Sequence, residues 1–451
     1  MATLIKSISG IRGIVGDGLD PQNLVRFSAA FAKFCNYGKI VVGRDSRISG
    51  DAFSKIVIGT LMSSGCDVID IGIVPTPTVQ IYVEELKAAG GIVLSASHNP
   101  NEWNALKLLN SEGTFLTPIE ATRFLELEEN LQTEFKKWNE MGKYEFIERA
   151  YEFHIEKIIK LDIVDVDLIK NKKFKVLVDC VNGAGVKVVP QMLEMLGCEV
   201  TKINCDESGI FPRKPEPVPE NLTETIRVAK QDNFDLTIIV DPDVDRLVLL
   251  QDDVNPFIEE YTVVIVTDFV LSKKKGNVCV NLSTTKAVED IAKKHNCNVF
   301  RTPVGEINVV KGMKKYKAVI GGEGSGGVIY PELHYGRDAL IGIAFTLQYL
   351  AEKNKKLSEI RRELPSYFIL KDKFETIEFS PEELINKFKE LFKNEIINEE
   401  DGLRIDFVDH WIHLRKSNTE PIIRLIVEAK SLELAKKYID EYKDILKSLM
   451  N

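Results

Sequence analysis

The hydrophobic positions of this chain fall into short β-branched runs separated by longer amphipathic stretches, and the runs recur in a fixed order. Three runs open alike: Lys39-Ile-Val-Val-Gly, Lys175-Val-Leu-Val-Asp and Asn277-Val-Cys-Val-Asn. Each passes through a polar or glycine-containing loop into a helix-like stretch. A second run then opens on a cysteine, in Cys66-Asp-Val-Ile-Asp-Ile, Cys198-Glu-Val-Thr-Lys-Ile and Cys297-Asn-Val-Phe-Arg-Thr. A third run closes each set: Gly91-Ile-Val-Leu-Ser, Leu236-Thr-Ile-Ile-Val-Asp and Lys317-Ala-Val-Ile-Gly-Gly. Runs that are apolar throughout imply strands covered on both faces, and their alternation with helices implies βαβ units. The repeat predicts three related α/β domains in tandem, over 1–148, 149–253 and 254–368.

The pattern changes near Lys371. A helix is predicted from Pro381 to about Phe392, with Glu382 and Glu383 in its first turn. Strands follow at 403–408, 411–414 and 422–427, then a closing helix over 432–449, giving a small α+β domain over 369–451. A charged, helix-like segment at 353–363 and Pro365 mark the join. The proline-rich run from Phe211 to Glu220 cannot be helix interior or central strand, and is expected to be a stiff surface loop of the second domain.

Composition narrows the function classes. The chain has 451 residues, 44% hydrophobic and 28% charged, with a net charge of −9. That balance fits a globular protein and is a poor match for general nucleic-acid or anionic-membrane binding. It leaves room for a small anionic substrate in a local basic site. The longest apolar stretch, around 262–271, falls short of the roughly 18 residues of a membrane span. The N-terminal MATLIKSISGIRG lacks a signal-peptide core. Seven cysteines without a CxxC pair read as reduced, buried thiols in the cytoplasm, with no zinc site.

Each third run ends in a chemically loaded loop, at the strand end where open α/β sheets bind ligands. In Ser95-Ala-Ser-His-Asn-Pro100 a hydroxyl beside His98 is a candidate nucleophile or phosphate carrier, and Lys107 a candidate acid or base. The same residues can also make a plain capped turn. In Asp241-Pro-Asp-Val-Asp-Arg246 three carboxylates alternate on a strand-end loop and repel one another unless a cation sits between them. Hard oxygen ligands favour Mg²⁺ or Ca²⁺. An EF-hand is excluded, because its required glycine and glutamate are replaced by Arg246 and Asp252 and no helix precedes the loop. Gly322-Glu-Gly-Ser-Gly-Gly327 formally matches GxGxxG, but Pro331 follows at once and no helix opens there. A loop presenting Glu323 and Ser325 suits polyol hydroxyls better than a dinucleotide. Arg415-Lys-Ser-Asn-Thr-Glu-Pro421 with Arg424 gathers cations, hydroxyls and loop N–H groups into a compact anion site, although Ser-Asn-Thr is also ordinary turn chemistry. Arg12 and the Gly43-Arg-Asp-Ser-Arg47 loop are expected at the surface, with positive charge available to the same site. His154, His295 and His334 have no partners at ligand spacing.

Together the four loops resemble those of the α-D-phosphohexomutase superfamily, in its order and spacing and over the whole chain. The resemblance implies three tandem related α/β domains with mixed sheets plus a C-terminal α+β domain around a central cleft. It implies that Ser97 carries the phosphoryl group and, with Asp241, Asp243 and Asp245, holds one Mg²⁺ per chain. Arg246 and Arg12 would contact the transferring group, and Lys107 and His98 would act near Ser97. Glu323 and Ser325, with Thr302 and Gly305, would hold the sugar. Arg415, Ser417, Asn418, Thr419 and Arg424 would hold the non-reacting phosphate.

The implied activity is interconversion of hexose 6-phosphate and hexose 1-phosphate, with a hexose 1,6-bisphosphate as intermediate and activator. The forms GEGSGG, ISGIRG and SHNPNEWNALKLLN are most similar to a subgroup acting on glucosamine phosphates. A phosphomannomutase/phosphoglucomutase is the alternative, and a non-catalytic sugar-phosphate binder the remote one. Gly327 departs from the histidine of many bacterial members, so a sugar or proton contact there is expected to be missing or replaced. The expected partner is a sugar phosphate, with neither nucleic acid nor membrane, and the chain a cytoplasmic monomer or homodimer.

Overall fold

The computed structural model describes residues 3–7, 10–132, 135–376, 379–416 and 422–450. The chain divides into two compact units, one of Met1–Thr262 with Gly326–Ile360 and one of Val263–Ser325 with Arg361–Asn451.

The first unit holds two sheets. The larger runs Ile5–Ser7, Gly10–Val15, Trp103–Leu109, Gly90–Leu94, Ile40–Arg44, Val68–Ile73, Tyr144–Phe146, with the short strand Gly18–Leu19 beside Gly10–Val15. Ile40–Arg44 is parallel to both of its neighbours, and Gly90–Leu94 then pairs antiparallel with Trp103–Leu109. The second sheet repeats this plan: Lys175–Asp179 lies parallel between Glu199–Ile203 and Leu236–Val240, and Leu236–Val240 pairs antiparallel with Leu247–Leu250. In the second unit Asn277–Asn281 lies parallel between Val299–Thr302 and Ala318–Glu323. The threefold repeat is therefore structural. In each copy the first run is the middle strand, and the loop after the third run is the equivalent connection.

The last sheet is antiparallel throughout, in the order Phe368–Glu375, Ile422–Ala429, His410–Lys416, Leu403–Asp406, Ile396–Asn398. Helices Pro381–Leu391 and Leu432–Ser448 are capped by Ser380 and Ser431, whose hydroxyls accept the N–H groups of Glu383 and Leu434. A core of Leu384, Phe388, Ile405, Ile412, Leu425 and Leu446 fills this domain.

The apolar stretch around 262–271, of strand or core-helix length, is helix, within Glu259–Lys273. Several elements differ from the sequence reading. The 353–363 segment belongs to two helices, Ala339–Lys353 and Leu357–Glu363, the first buried from Ala339 to Ala351. Phe368–Glu375, Leu247–Leu250 and Trp103–Leu109 are strands that the pattern did not show. Trp103–Leu109 was masked by two polar residues, Asn104 and Lys107, which are nevertheless buried. Gly10 opens the strand Gly10–Val15 at φ +113°, and a Cβ there would lie 2.3 Å from the Leu106 carbonyl oxygen. The proline-rich run is only partly surface, since Phe211, Pro215 and Pro217 are buried. Among the described residues no helix is long and apolar enough to cross a membrane. All seven cysteines are free.

Candidate active site

The loop after Gly90–Leu94 carries Ser97. Ser97 adopts φ +48°, a left-handed conformation that a side chain makes costly. The loop is held from beneath by Arg47, whose side chain is fully buried. Its Nη1 donates to the carbonyls of Pro100 (2.5 Å) and Trp103 (3.0 Å). Its Nη2 donates to those of Ser97 and Asn99, each at 2.7 Å. Asp45 fixes the guanidinium by pairing with Nε at 3.0 Å. Asp45 also accepts the Ser95 hydroxyl at 2.7 Å, and Ser95 Oγ in turn accepts the Ser97 N–H at 3.0 Å. The 43–47 loop was expected as surface charge. Arg47 is instead an internal staple, and its guanidinium lies 4.7 Å from the centroid of the Phe211 ring.

Ser97 Oγ donates to Asp241 Oδ2 at 3.0 Å. Asp241, Asp243 and Asp245 are buried, with one oxygen of each within 4.8 Å of the others. One oxygen of every carboxylate is already held. Asp241 Oδ1 accepts the N–H groups of Asp245 and Arg246, both at 3.1 Å. Asp243 Oδ2 accepts the Thr76 hydroxyl at 2.5 Å and Lys107 Nζ at 2.6 Å. Asp245 Oδ2 accepts Arg337 Nη2 at 2.6 Å. Asp243 Oδ1 and Asp245 Oδ1 are buried without a hydrogen-bond partner. Unpaired buried carboxylate oxygens are costly, and a hard divalent cation is the group this donor set fits.

The electrostatics agree. Burial, then Asp245 and Asp243, push Asp241 well above the usual carboxylate range. Burial also raises Asp243, but Lys107, Thr76 and Arg337 outweigh it and hold Asp243 low. Burial opposes the charge of Lys107, and Asp243 and Asp245 overcome it and raise its pKa. His98 Nδ1 lies 3.4 Å from Ser97 Oγ. Burial, reinforced by Arg246, pushes His98 down to about 3, so its ring is neutral near pH 7. Arg246 sits 3.8 Å from Asp245 and 3.7 Å from Glu216, with its Nε buried and without a hydrogen-bond partner. Arg12 projects from Gly10–Val15 in register with Ala105, half-buried, and burial lowers its pKa.

In the second unit Glu323 ends the strand Ala318–Glu323, and its Oε1 accepts Asn281 Nδ2 (2.8 Å) and the Gly305 N–H (2.9 Å). Gly305, at φ +116°, opens the helix Glu306–Tyr316. Thr302 is buried and ends Val299–Thr302, and Ser325 is half-buried in the turn after Glu323. Arg415 and Arg424 stand directly opposite on the strands His410–Lys416 and Ile422–Ala429. Like charges so placed repel, which favours an anion between them. Asp401 bonds the Val304 N–H at 2.9 Å and Arg415 Nη2 at 3.0 Å, which ties the 302–305 loop to Arg415. Arg415 Nε is buried without a hydrogen-bond partner. Ser417, Asn418 and Thr419 lie outside the described residues.

Sequence reasoning missed Thr76, Arg337 and Asp401 and placed Arg47 and Asp45 at the surface, because each acts on a loop far away along the chain. It also left His154 and His334 without partners. They converge on Asp338 Oδ2, at 2.8 and 3.3 Å. Asp338 caps the helix Ala339–Lys353.

The phosphoglucomutase/phosphomannomutase models match in order: alpha/beta/alpha domains I, II and III over residues 4–135, 152–253 and 259–368, and the C-terminal domain over 371–445. A Methanopyrus kandleri protein named "Probable phosphoglucosamine mutase" is 36% identical over 447 residues, covering 97% of each chain. A Thermococcus kodakarensis "Phosphoglucomutase/phosphomannomutase" is 38% identical over 447 residues, covering 96% of each. A solved structure of a phosphoglucomutase/phosphomannomutase family protein from Burkholderia thailandensis shares the fold, with a TM-score of 0.87 at 24% identity over 99% of this chain and 98% of that one. The chain belongs to the phosphoglucomutase/phosphomannomutase family, and is an isomerase of the mutase type.

Proposed function

We propose that the protein interconverts glucosamine 6-phosphate and glucosamine 1-phosphate through a phosphoserine at Ser97 and a glucosamine 1,6-bisphosphate. The observation that carries this reading is Ser97 Oγ, 3.0 Å from Asp241 Oδ2, beside two buried carboxylate oxygens that accept no hydrogen bond. Asp241, Asp243 and Asp245, with a phosphoserine oxygen, would hold Mg²⁺. Bound there, the ion would neutralise charge on the phosphoryl oxygens.

In the first half-reaction the sugar 1-hydroxyl attacks phosphorus and the bond from phosphorus to Ser97 Oγ breaks. The proton leaving the sugar hydroxyl is matched by one arriving at Ser97 Oγ. The neutral His98, with Nδ1 3.4 Å from Oγ, and Lys107, held on Asp243, are the groups suited to move it. Arg246, whose buried Nε makes no hydrogen bond, supplies positive charge to the transferring group, and Arg12 adds to it. The bisphosphate then reorients and returns its 6-phosphoryl group to Ser97 by the reverse step. Glu323, Ser325, Thr302 and Gly305 would hold the sugar hydroxyls. Arg415 and Arg424, with Ser417, Asn418 and Thr419, would hold the phosphate that is not reacting. The seven free cysteines fit a reducing cytoplasm.

A phosphomannomutase/phosphoglucomutase is the second reading, favoured by the name of the Thermococcus kodakarensis relative. A coupled assay on glucosamine, mannose and glucose 6-phosphates, with the matching bisphosphate present, separates the two. Preferred turnover of glucosamine 6-phosphate is expected. Preference for mannose or glucose phosphates selects the second reading, and no turnover of any of them by phosphorylated protein rejects both.

A further inference from the structure

Gly327 is not in a left-handed conformation, so its missing side chain is a matter of space. A Cβ there would lie 2.3 Å from Arg337 Cδ and 2.8 Å from its Cγ. The aliphatic stem of Arg337 crosses the spot where any larger residue would put its side chain. Beyond that crossing, Arg337 Nη2 reaches Asp245 Oδ2 at 2.6 Å. The arm is anchored at both ends. The Asp338 N–H donates to Val328 O at 2.8 Å, and the Ala339 N–H donates to Val244 O at 3.1 Å, between Asp243 and Asp245. Leu247 N donates to Gly326 O at 3.0 Å, which presses the glycine loop against the strand that leaves the aspartate loop.

The consequence lies in how many oxygens Asp245 can offer. With Oδ2 taken by Arg337, only Oδ1 is available, which accepts no hydrogen bond and has Arg246 Nε 3.8 Å away. The same holds for Asp243, whose Oδ2 is taken by Thr76 and Lys107, and for Asp241, whose Oδ1 is taken by two backbone N–H groups. The loop thus presents single oxygens. Mg²⁺ is small and takes one oxygen per carboxylate, whereas Ca²⁺ accepts more oxygens and readily takes both from one carboxylate.

We propose that Arg337, admitted by Gly327, is a positioning residue that restricts Asp245 to one ligand oxygen and thereby sets selectivity for Mg²⁺ over Ca²⁺. This rests on the reading of the aspartate triad as the metal site. Arg337 also places a positive charge near the cation, which weakens both divalents alike. That effect cancels in the ratio of their affinities, so the ratio isolates the geometric role.

The test is calorimetric titration of the full chain with Mg²⁺ and with Ca²⁺, in wild type, R337M, R337K, G327A and G327A/R337M, with D241N as control. R337M is expected to shift the Ca²⁺-to-Mg²⁺ affinity ratio towards Ca²⁺ on the order of tenfold, and R337K by less. G327A should shift the ratio the same way by displacing the arm. In the double variant it should add nothing to R337M, because the arm is already gone. An unchanged ratio in R337M and R337K overturns the proposal while D241N still abolishes binding. A G327A shift fully additive with that of R337M overturns the role of Gly327. Divalent binding that survives D241N unchanged places the metal elsewhere, and the triad reading falls with the proposal. If R337M does not fold, R337K and G327A, which keep the charge, decide the matter in the same titration.

Discussion

Ser97 Oγ and Asp241 Oδ2 lie 3.0 Å apart, joining the loops that follow equivalent strands in two copies of one structural repeat. A hydroxyl on one copy and a carboxylate on the other can meet only because both loops leave the same end of their sheets. Replacing Ser97 by alanine removes the proposed phosphoryl carrier and little else. S97A is expected to keep its melting temperature within a degree or two, to lose turnover, and to take up no phosphate from a hexose 1,6-bisphosphate by intact-mass measurement. Mutase activity near wild type would remove Ser97 from the mechanism.

Asp243 is the partner of Lys107 at 2.6 Å. D243N removes the charge of a proposed ligand and leaves the buried Lys107 ammonium with only the more distant Asp245, at 3.9 Å. The cost of breaking such a pair is about 3–5 kcal/mol. Chemical denaturation should show that loss, and activity should no longer respond to added Mg²⁺. An unchanged Mg²⁺ titration would rule Asp243 out as a ligand.

Arg47 stands under the Ser97 loop and donates to four of its carbonyls. R47K keeps the charge and loses the fork, so the left-handed Ser97 should relax. A displacement near 1 Å typically costs about 100-fold in rate. R47K is expected to lower kcat by about that factor, with faster amide exchange over residues 95–103. Wild-type kcat in R47K would show that the loop holds itself.

His413 is fully buried, donates from Nε2 to the Asp401 carbonyl at 2.7 Å, and lies 3.0 Å from Ser283 Oγ. Burial first, then Arg415 and Arg404, push its pKa from 6.5 down to about 4. The unfolded chain therefore binds a proton that the folded chain refuses between those values. The stability His413 contributes is complete above about pH 6.5 and is lost as the pH falls towards 4, on the order of 3 kcal/mol in all. Urea unfolding across that range should show a slope that H413N flattens. An equal slope in both proteins would assign the acid sensitivity to other groups.

Arg415 and Arg424 face each other, and Asp401 holds Arg415 against the 302–305 loop. R415Q should raise KM for sugar phosphates about tenfold, with a smaller fall in kcat, since a remote phosphate contact acts mainly through binding. Initial-rate kinetics on glucosamine 6-phosphate read this directly, and unchanged KM would remove Arg415 from the phosphate site.

The four loops were legible because each packs its chemistry into consecutive residues. Ser97 with His98, the three aspartates, Glu323 with Ser325, and Arg415 are each visible in a window of a few positions. The supports were not. Thr76 reaches Asp243, Arg47 reaches Ser97, Arg337 reaches Asp245 and Asp401 reaches Val304, all across large stretches of chain. The 43–47 loop shows the difference. Its charges read as surface, yet the acceptors that make burial of Arg47 possible are carbonyls of a loop fifty residues on. Gly327 is similar, since nothing in its neighbours reveals that Arg337 fills the space above it.

By itself the sequence determined the three α/β repeats, the small α+β domain and the four loops, because apolar periodicity and contiguous motifs are local properties of a chain. Only the tertiary structure decided which carboxylate oxygens remain unpaired, how Ser97 is held in its left-handed conformation, and which arginine orients Asp245. Those outcomes depend on hydrogen bonds and burial between segments distant in sequence. A buried charge is tolerable only where the fold delivers its partner, and that delivery is a property of the packed molecule.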